Sequence, residues 1–137
     1  MMKNTTLTTE KVLDYVEQMC QVLRTNYQSS AIARHRQSIE NEINMDYHQQ
    51  QIDALCEGIG VDDFTYIKGK KYAKIVHHSS GGQRSAHAFV DMTNGDVYKS
   101  ASWKAPAKNG VRFNLLDESS RTDMYQRADW AGGYLYK

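Results

Sequence analysis

The chain reads as an α+β domain: an N-terminal helical hairpin or two long helices packed on a small antiparallel β-sheet, a meander, with a short C-terminal helix and strand. Three observations predict it. Apolar residues recur at helical spacing as far as Gly58, the period switches to 2 after Val61-Asp62-Asp63, and Asn94-Gly95 stands between two alternating runs as a hairpin signal. A chain of 137 residues builds one core more readily than two. A single domain over 1–137 is therefore expected, with its helical part at about 8–58 and its sheet part at about 64–137.

Val12, Val16, Met19, Cys20, Leu23 and Tyr27 form one helical stripe, with a threonine before it as N-cap and Glu10 in the first turn, where the helix dipole favours an acid. The spacing predicts a first helix over 9–27. Asn26 to Ser30 then interrupts the pattern and offers new caps. A second helix starts near Ser29 or Ser38, with Ile32, Ile39, Ile43, Tyr47, Leu55 and Cys56 as apolar positions, and Gly58 and Gly60 end it. Periodicity does not decide whether residues 31–36 belong to it.

Strands are predicted over 70–78, 84–91 and 96–101. In the first, Tyr72, Lys74 and Val76 alternate with Ala73, Ile75 and His77; in the second, Ser85, His87 and Phe89 share one face. Asn94-Gly95 suits a type I′ turn, which needs positive φ at both central residues. Ser119-Ser120 can cap a helix over 121–128, and Tyr134-Leu135-Tyr136 reads as a last strand.

Composition excludes several classes. With 40% hydrophobic and 24% charged residues, neither disorder nor a membrane span is indicated, and no apolar run approaches the roughly 20 residues of a spanning helix. The N-terminus lacks the apolar core of a secretory signal, so a cytoplasmic protein is expected. A net charge of +1 gives no global attraction to nucleic acid, so anion binding must be local. Cys20 and Cys56 lack metal-ligand spacing and read as reduced core residues. Nine tyrosines suit interfaces or ligand pockets.

His77, His78 and His87 lie on neighbouring strands, where a pair of imidazoles could serve as acid and base. No His-x-Thr or His-x-Ser pair recurs and no acidic cluster adjoins them in sequence. They read as ordinary strand histidines, with no catalytic and no metal site expected. Gly81-Gly82 and Gly132-Gly133 lack the strand-loop-helix setting of a phosphate loop and read as turns. The stretch from Trp103 to Asn114 is different. It joins Trp103, Lys104, Lys108, Arg112, Phe113 and Asn114 around an Ala-Pro-Ala joint, near Phe89 and Asn94 in the meander. Such residues can stack a base, clamp a phosphate and read a base edge; a structural loop explains the composition equally well.

Ser-Ala-His-Ala-Phe-Val-Asp (85–91), Asn-Gly-Asp-Val-Tyr-Lys-Ser-Ala-Ser-Trp-Lys-Ala-Pro-Ala-Lys (94–108) and Gly-Val-Arg-Phe-Asn (110–114) resemble the Thoeris anti-defence proteins of bacteriophages. The likeness covers residues 70–136, and Ala-Ser-Trp-Lys-Ala-Pro-Ala-Lys is its most distinctive part. It implies a protein without enzymatic activity or cofactor that binds and sequesters, without cleaving, a cyclic ADP-ribose isomer in the cytoplasm of the infected host. It also implies homodimers or hexamers built from dimers, with pockets at subunit interfaces, and in some members a separate place for cyclic oligonucleotides. Carried onto this chain, the resemblance implicates Phe89, Asn94, Trp103, Lys104, Arg112, Phe113 and Asn114. Phe89 or Phe113 would stack adenine, Arg112 would meet the diphosphate, and Asn94 or Asn114 would read a ribose or base edge. Arg24 and Arg34 would add cations from the helices. Single-stranded nucleic-acid binding through Trp103 and Phe113, or blockade of a host protein, are the alternatives.

Overall fold

The computed structural model describes residues 2–136. Helix α1 runs unbroken over Met2–Glu40, and α2 follows over Met45–Cys56. The expected break at 26–30 is absent because tertiary partners take the polar side chains that would otherwise cap a new helix. Gln28 donates to the Leu55 carbonyl of α2, and Asn26 accepts from the Trp130 backbone N–H. Residues 31–36 thus belong to the first helix, and the reversal comes at Glu42 and Asn44, both left-handed. Gly58 and Gly60, with positive φ, follow the end of α2 as expected.

Five antiparallel strands lie in chain order: β1 (Asp63–Lys68), β2 (Tyr72–His78), β3 (Arg84–Asp91), β4 (Asp96–Lys99) and β5 (Phe113–Asn114). The outer two are additions to the expected meander. α3 spans Glu118–Arg127, with Asp117 rather than Ser119 or Ser120 as N-cap. The expected last strand is a 3-10 turn, Gly133–Leu135, started by left-handed Gly132. Val12, Val16, Met19, Cys20 and Leu23 bury fully against Phe64, Ala73, Ile75, Ala88, Val90 and Val97. The α1 stripe therefore faces the sheet as its spacing predicts. The second helix buries only Ile52 and Leu55, while Ile43, Tyr47 and Cys56 are exposed, so Cys56 is not a core residue.

Two local features set which side chains face where. Between β2 and β3 the pairing slips: Ile75 opposes Ala88 but Val76 opposes Ala86, leaving His87 as an extra residue. Such a bulge changes the face of everything beyond it. Ser85, opposite His77, and His87 consequently turn to the helix side, whereas Phe89, opposite Lys74, stays on the outer side. The expectation that Ser85, His87 and Phe89 share a face fails for this reason. The β3–β4 turn is also wider than type I′. Asn94 does not have positive φ, and Gly95 alone is left-handed, its N–H donating to the Asp91 carbonyl. The Asp91 carboxylate accepts from the Thr93 N–H and hydroxyl and builds the helical first part of that turn.

Candidate functional site

The outer face of the sheet carries a cationic, aromatic cleft of about 430 Å³, lined by Ile67, Gly69, Lys70, Lys71, Tyr72, Lys74, Phe89 and Lys104. Strand alternation brings Tyr72 and Lys74 to this side, and cross-strand pairing places Phe89 beside Lys74 and Tyr98 beside Phe89. Phe89 is only 3% exposed, so it is floor rather than stacking platform. Tyr72 meets both Phe89 and Tyr98 edge to face at 6.1 Å.

Trp103 and Lys104 reach this cleft by a small hairpin of their own. Ser100 bridges Pro106, and the Ala107 N–H returns to the Lys99 carbonyl. At its tip Lys74 Nζ donates to the Trp103 carbonyl at 2.8 Å and lies 3.6 Å from the centre of the Trp103 ring, with the Arg84 guanidinium 5.4 Å from the same ring. Desolvation, then the neighbouring Arg84 charge, lowers the Lys74 pKa. Lys71 is 3.9 Å from the Asp91 carboxylate. Among the described residues no carboxylate pairs with Lys70 or Lys104. One acid therefore faces four lysines, and the cleft presents a surplus of positive charge beside ring surface.

The residues implicated by sequence do not converge on one place. Phe89, Trp103 and Lys104 belong to this cleft. Phe113 faces the other side, 6.1 Å from Tyr134 ring to ring. Asn94 and Asn114 brace the turn: Asn94 Oδ1 accepts from the Asp96 N–H, and Asn114 donates to the Asn94 carbonyl and Asp96 and accepts from the Leu116 and Asp117 N–H groups. Arg112 spends its guanidinium on the Leu135 and Gly110 carbonyls and Asn109 Oδ1. Arg24 ties α1 to Asp63 and the Phe64 carbonyl. Arg34 lies 5.5 Å from the Trp130 ring centre, away from the outer cleft. Lys70, Lys71, Tyr72 and Lys74 line the cleft although the sequence pattern implicates them only as strand residues; the signal for them is the Lys-Gly-Lys-Lys-Tyr run of 68–72 and the alternating lysine that follows.

The histidines also differ from their sequence reading. Asp62, buried ahead of β1, accepts from His77 Nε2 at 2.6 Å and from the Ser80 N–H, so an acid does stand beside a histidine. His87 Nε2 meets the Tyr134 hydroxyl at 2.7 Å, and burial pushes the His87 pKa down to about 4. Among the described residues no group of three or more His, Cys, Asp or Glu side chains is placed to hold a metal ion, and no helix is long and apolar enough to cross a membrane.

No curated protein and no solved structure matches the chain. A family profile does so over residues 1–137: the chain belongs to DUF7717, a family of unknown function.

Proposed function

We propose that this protein binds a small anionic nucleotide in the outer-face cleft and holds it without cleaving it. The observation that carries this reading is the ring of Lys70, Lys71, Lys74 and Lys104 around a floor of Phe89 and Tyr72, with three of the four ammonium groups free of any carboxylate among the described residues. Lysines supply phosphate charge compensation, and Tyr72, Tyr98 and Trp103 supply the ring surface a base needs. The motif resemblance narrows the ligand to a cyclic ADP-ribose-type signal, and the role to inhibition of Thoeris immunity by a phage protein in the host cytoplasm. On that reading the working form is a homodimer or a hexamer built from dimers. Arg112, Asn94 and Asn114 brace the β3–β4 turn, the approach to β5 and the C-terminal turn instead of touching ligand.

The test is uptake and recovery. Purified protein is incubated with cyclic ADP-ribose isomers, separated from free ligand, heat-denatured, and the released molecule identified. Intact ligand is the expected result; a linear product would make the protein an enzyme, and no uptake would refute the proposal. The exposed Trp103, set against Lys74 and Arg84 next to the lysine cleft, also favours a second reading, single-stranded nucleic acid. Affinity that grows with oligonucleotide length and falls steeply with salt would select it.

A further inference from the structure

The opposite face of the sheet holds a second cleft, of about 350 Å³, between the β2–β4 ends and the C-terminal turn, within the range of about 300–1,000 Å³ usual for small-molecule sites. His77 and His87 both line it. Each ring has its Nε2 taken, by Asp62 and by Tyr134, and among the described residues no protein atom pairs with either Nδ1. His87 is nine-tenths buried, and since no buried side-chain nitrogen or oxygen among the described residues lacks a partner, its Nδ1 keeps its access to solvent through the cleft, where a ligand could take the place of water. Ser85, on the same face opposite His77, adds a hydroxyl with no protein partner among the described contacts.

From this geometry we infer a second binding site, lined by His77, His87, Ser85 and Trp130, for an uncharged, planar nitrogen heterocycle of nucleoside size. The ring nitrogens offer complementary polarity. The Asp62 carboxylate needs a proton on His77 Nε2, and in that tautomer the His77 Nδ1 is an acceptor. The Tyr134 hydroxyl, kept protonated by burial, has His87 Nε2 as its acceptor, which puts the His87 proton on Nδ1 as a donor. A donor and an acceptor lining the same cleft are the complement of the acceptor and donor on the edge of a nucleobase. Phe64 holds the two rings in place, stacked on His77 at 4.6 Å and edge-on to His87 at 5.5 Å.

Charge favours a neutral ligand here. Arg34 sits over the Trp130 ring and Lys99 lies 4.6 Å from the Tyr136 centre, while the Asp62 carboxylate is bound to His77 and Asp129 lies near His87, so neither sign is in surplus. This separates the site from the lysine cleft, whose cations are in excess.

The experiment uses the full chain carrying Trp103→Phe, so that Trp130 is the remaining tryptophan. Its fluorescence is titrated with adenosine, guanosine, cytidine and uridine. At least one nucleoside should give a saturable change with a Kd below about 1 mM, weakened at least tenfold by Ser85→Leu, which fills the cleft from an exposed position, and by a smaller factor in Tyr136→Ala. Lys70→Glu with Lys104→Glu on the other face should leave it unchanged. The inference is overturned if none of the four saturates, or if binding survives both Ser85→Leu and Tyr136→Ala in folded protein. Binding lost only on lysine reversal would place the nucleoside in the outer cleft and overturn it equally.

Discussion

Replacing Arg112 with alanine separates a ligand contact from a structural staple. The guanidinium donates to the Leu135 carbonyl, the Gly110 carbonyl and Asn109 Oδ1 at 2.5, 2.7 and 3.0 Å, and so ties the approach to β5 to the C-terminal turn. Leu135 is 1% exposed, so truncation leaves its carbonyl in a dry environment. An orphaned buried acceptor costs about 1–3 kcal/mol and each more exposed bond roughly 0.5 kcal/mol, for a total of about 2–4 kcal/mol. At roughly 3 °C per kcal/mol for a chain of this size, the Tm should fall by about 6–12 °C. Far-UV circular dichroism melts, with urea titration to confirm that the slope is unchanged, give the measurement. Ligand uptake, assayed well below the variant's Tm, should stay within about twofold of the parent. Arg112→Lys should regain less than half of the loss, because an ammonium cannot meet three acceptors in the fork geometry. A Tm within about 2 °C of the parent together with abolished uptake would refute the reasoning and return Arg112 to the ligand.

Three further outcomes follow from the structure. His87 titrates near 4 when folded and near 6.5 when unfolded, so the unfolded chain binds the extra proton between those values. Stability should be full above pH 6.5 and decline towards pH 4 by up to about 3 kcal/mol; the difference in urea midpoint between pH 7.5 and 4.5 should shrink in His87→Gln, though not vanish, because the pKa of His35 is also lowered, by desolvation and the adjacent His48. Gly95→Ala places a methyl group at φ +82°, 3.1 Å from Leu116 Cγ and N, and should cost about 1–3 kcal/mol in chemical denaturation. An unchanged midpoint would mean that the turn rearranges freely. Lys70→Glu combined with Lys104→Glu should lower anion affinity at least tenfold by calorimetry, about 1.4 kcal/mol, and leave the Tm within about 2 °C, since neither side chain has an ion-pair partner among the described residues.

Much of the fold could be read from local pattern. The stripe from Val12 to Leu23 is the face that packs on the sheet, and Gly58 and Gly60 stand where α2 ends, because helix periodicity and positive φ are properties of a few neighbouring residues. What escaped that reading involves partners distant in sequence. Helix α1 continues through Asn26 and Gln28 because Trp130 and Leu55 satisfy them, 104 and 27 residues away. Strand β5 is two residues long and exists only as an edge added to β4.

The candidate site divides in the same way. Composition showed a local concentration of cations and aromatics in the strands and in the segment that follows them, and the lysines of 68–74 were visible as letters. Facing decided which of them work together. One extra residue at His87 turns Ser85 and His87 to the helix side and leaves Phe89 with Lys74, because side chains alternate with period 2 and a bulge resets the count. Arg112 and Asn114 looked like ligand-binding groups until the Leu135 carbonyl and the Asn94 turn claimed their donors. The sequence alone determined the two-layer α+β class and the chemical character of the cleft. Only the tertiary structure decided which polar groups remain free, since hydrogen-bond partners are assigned in space.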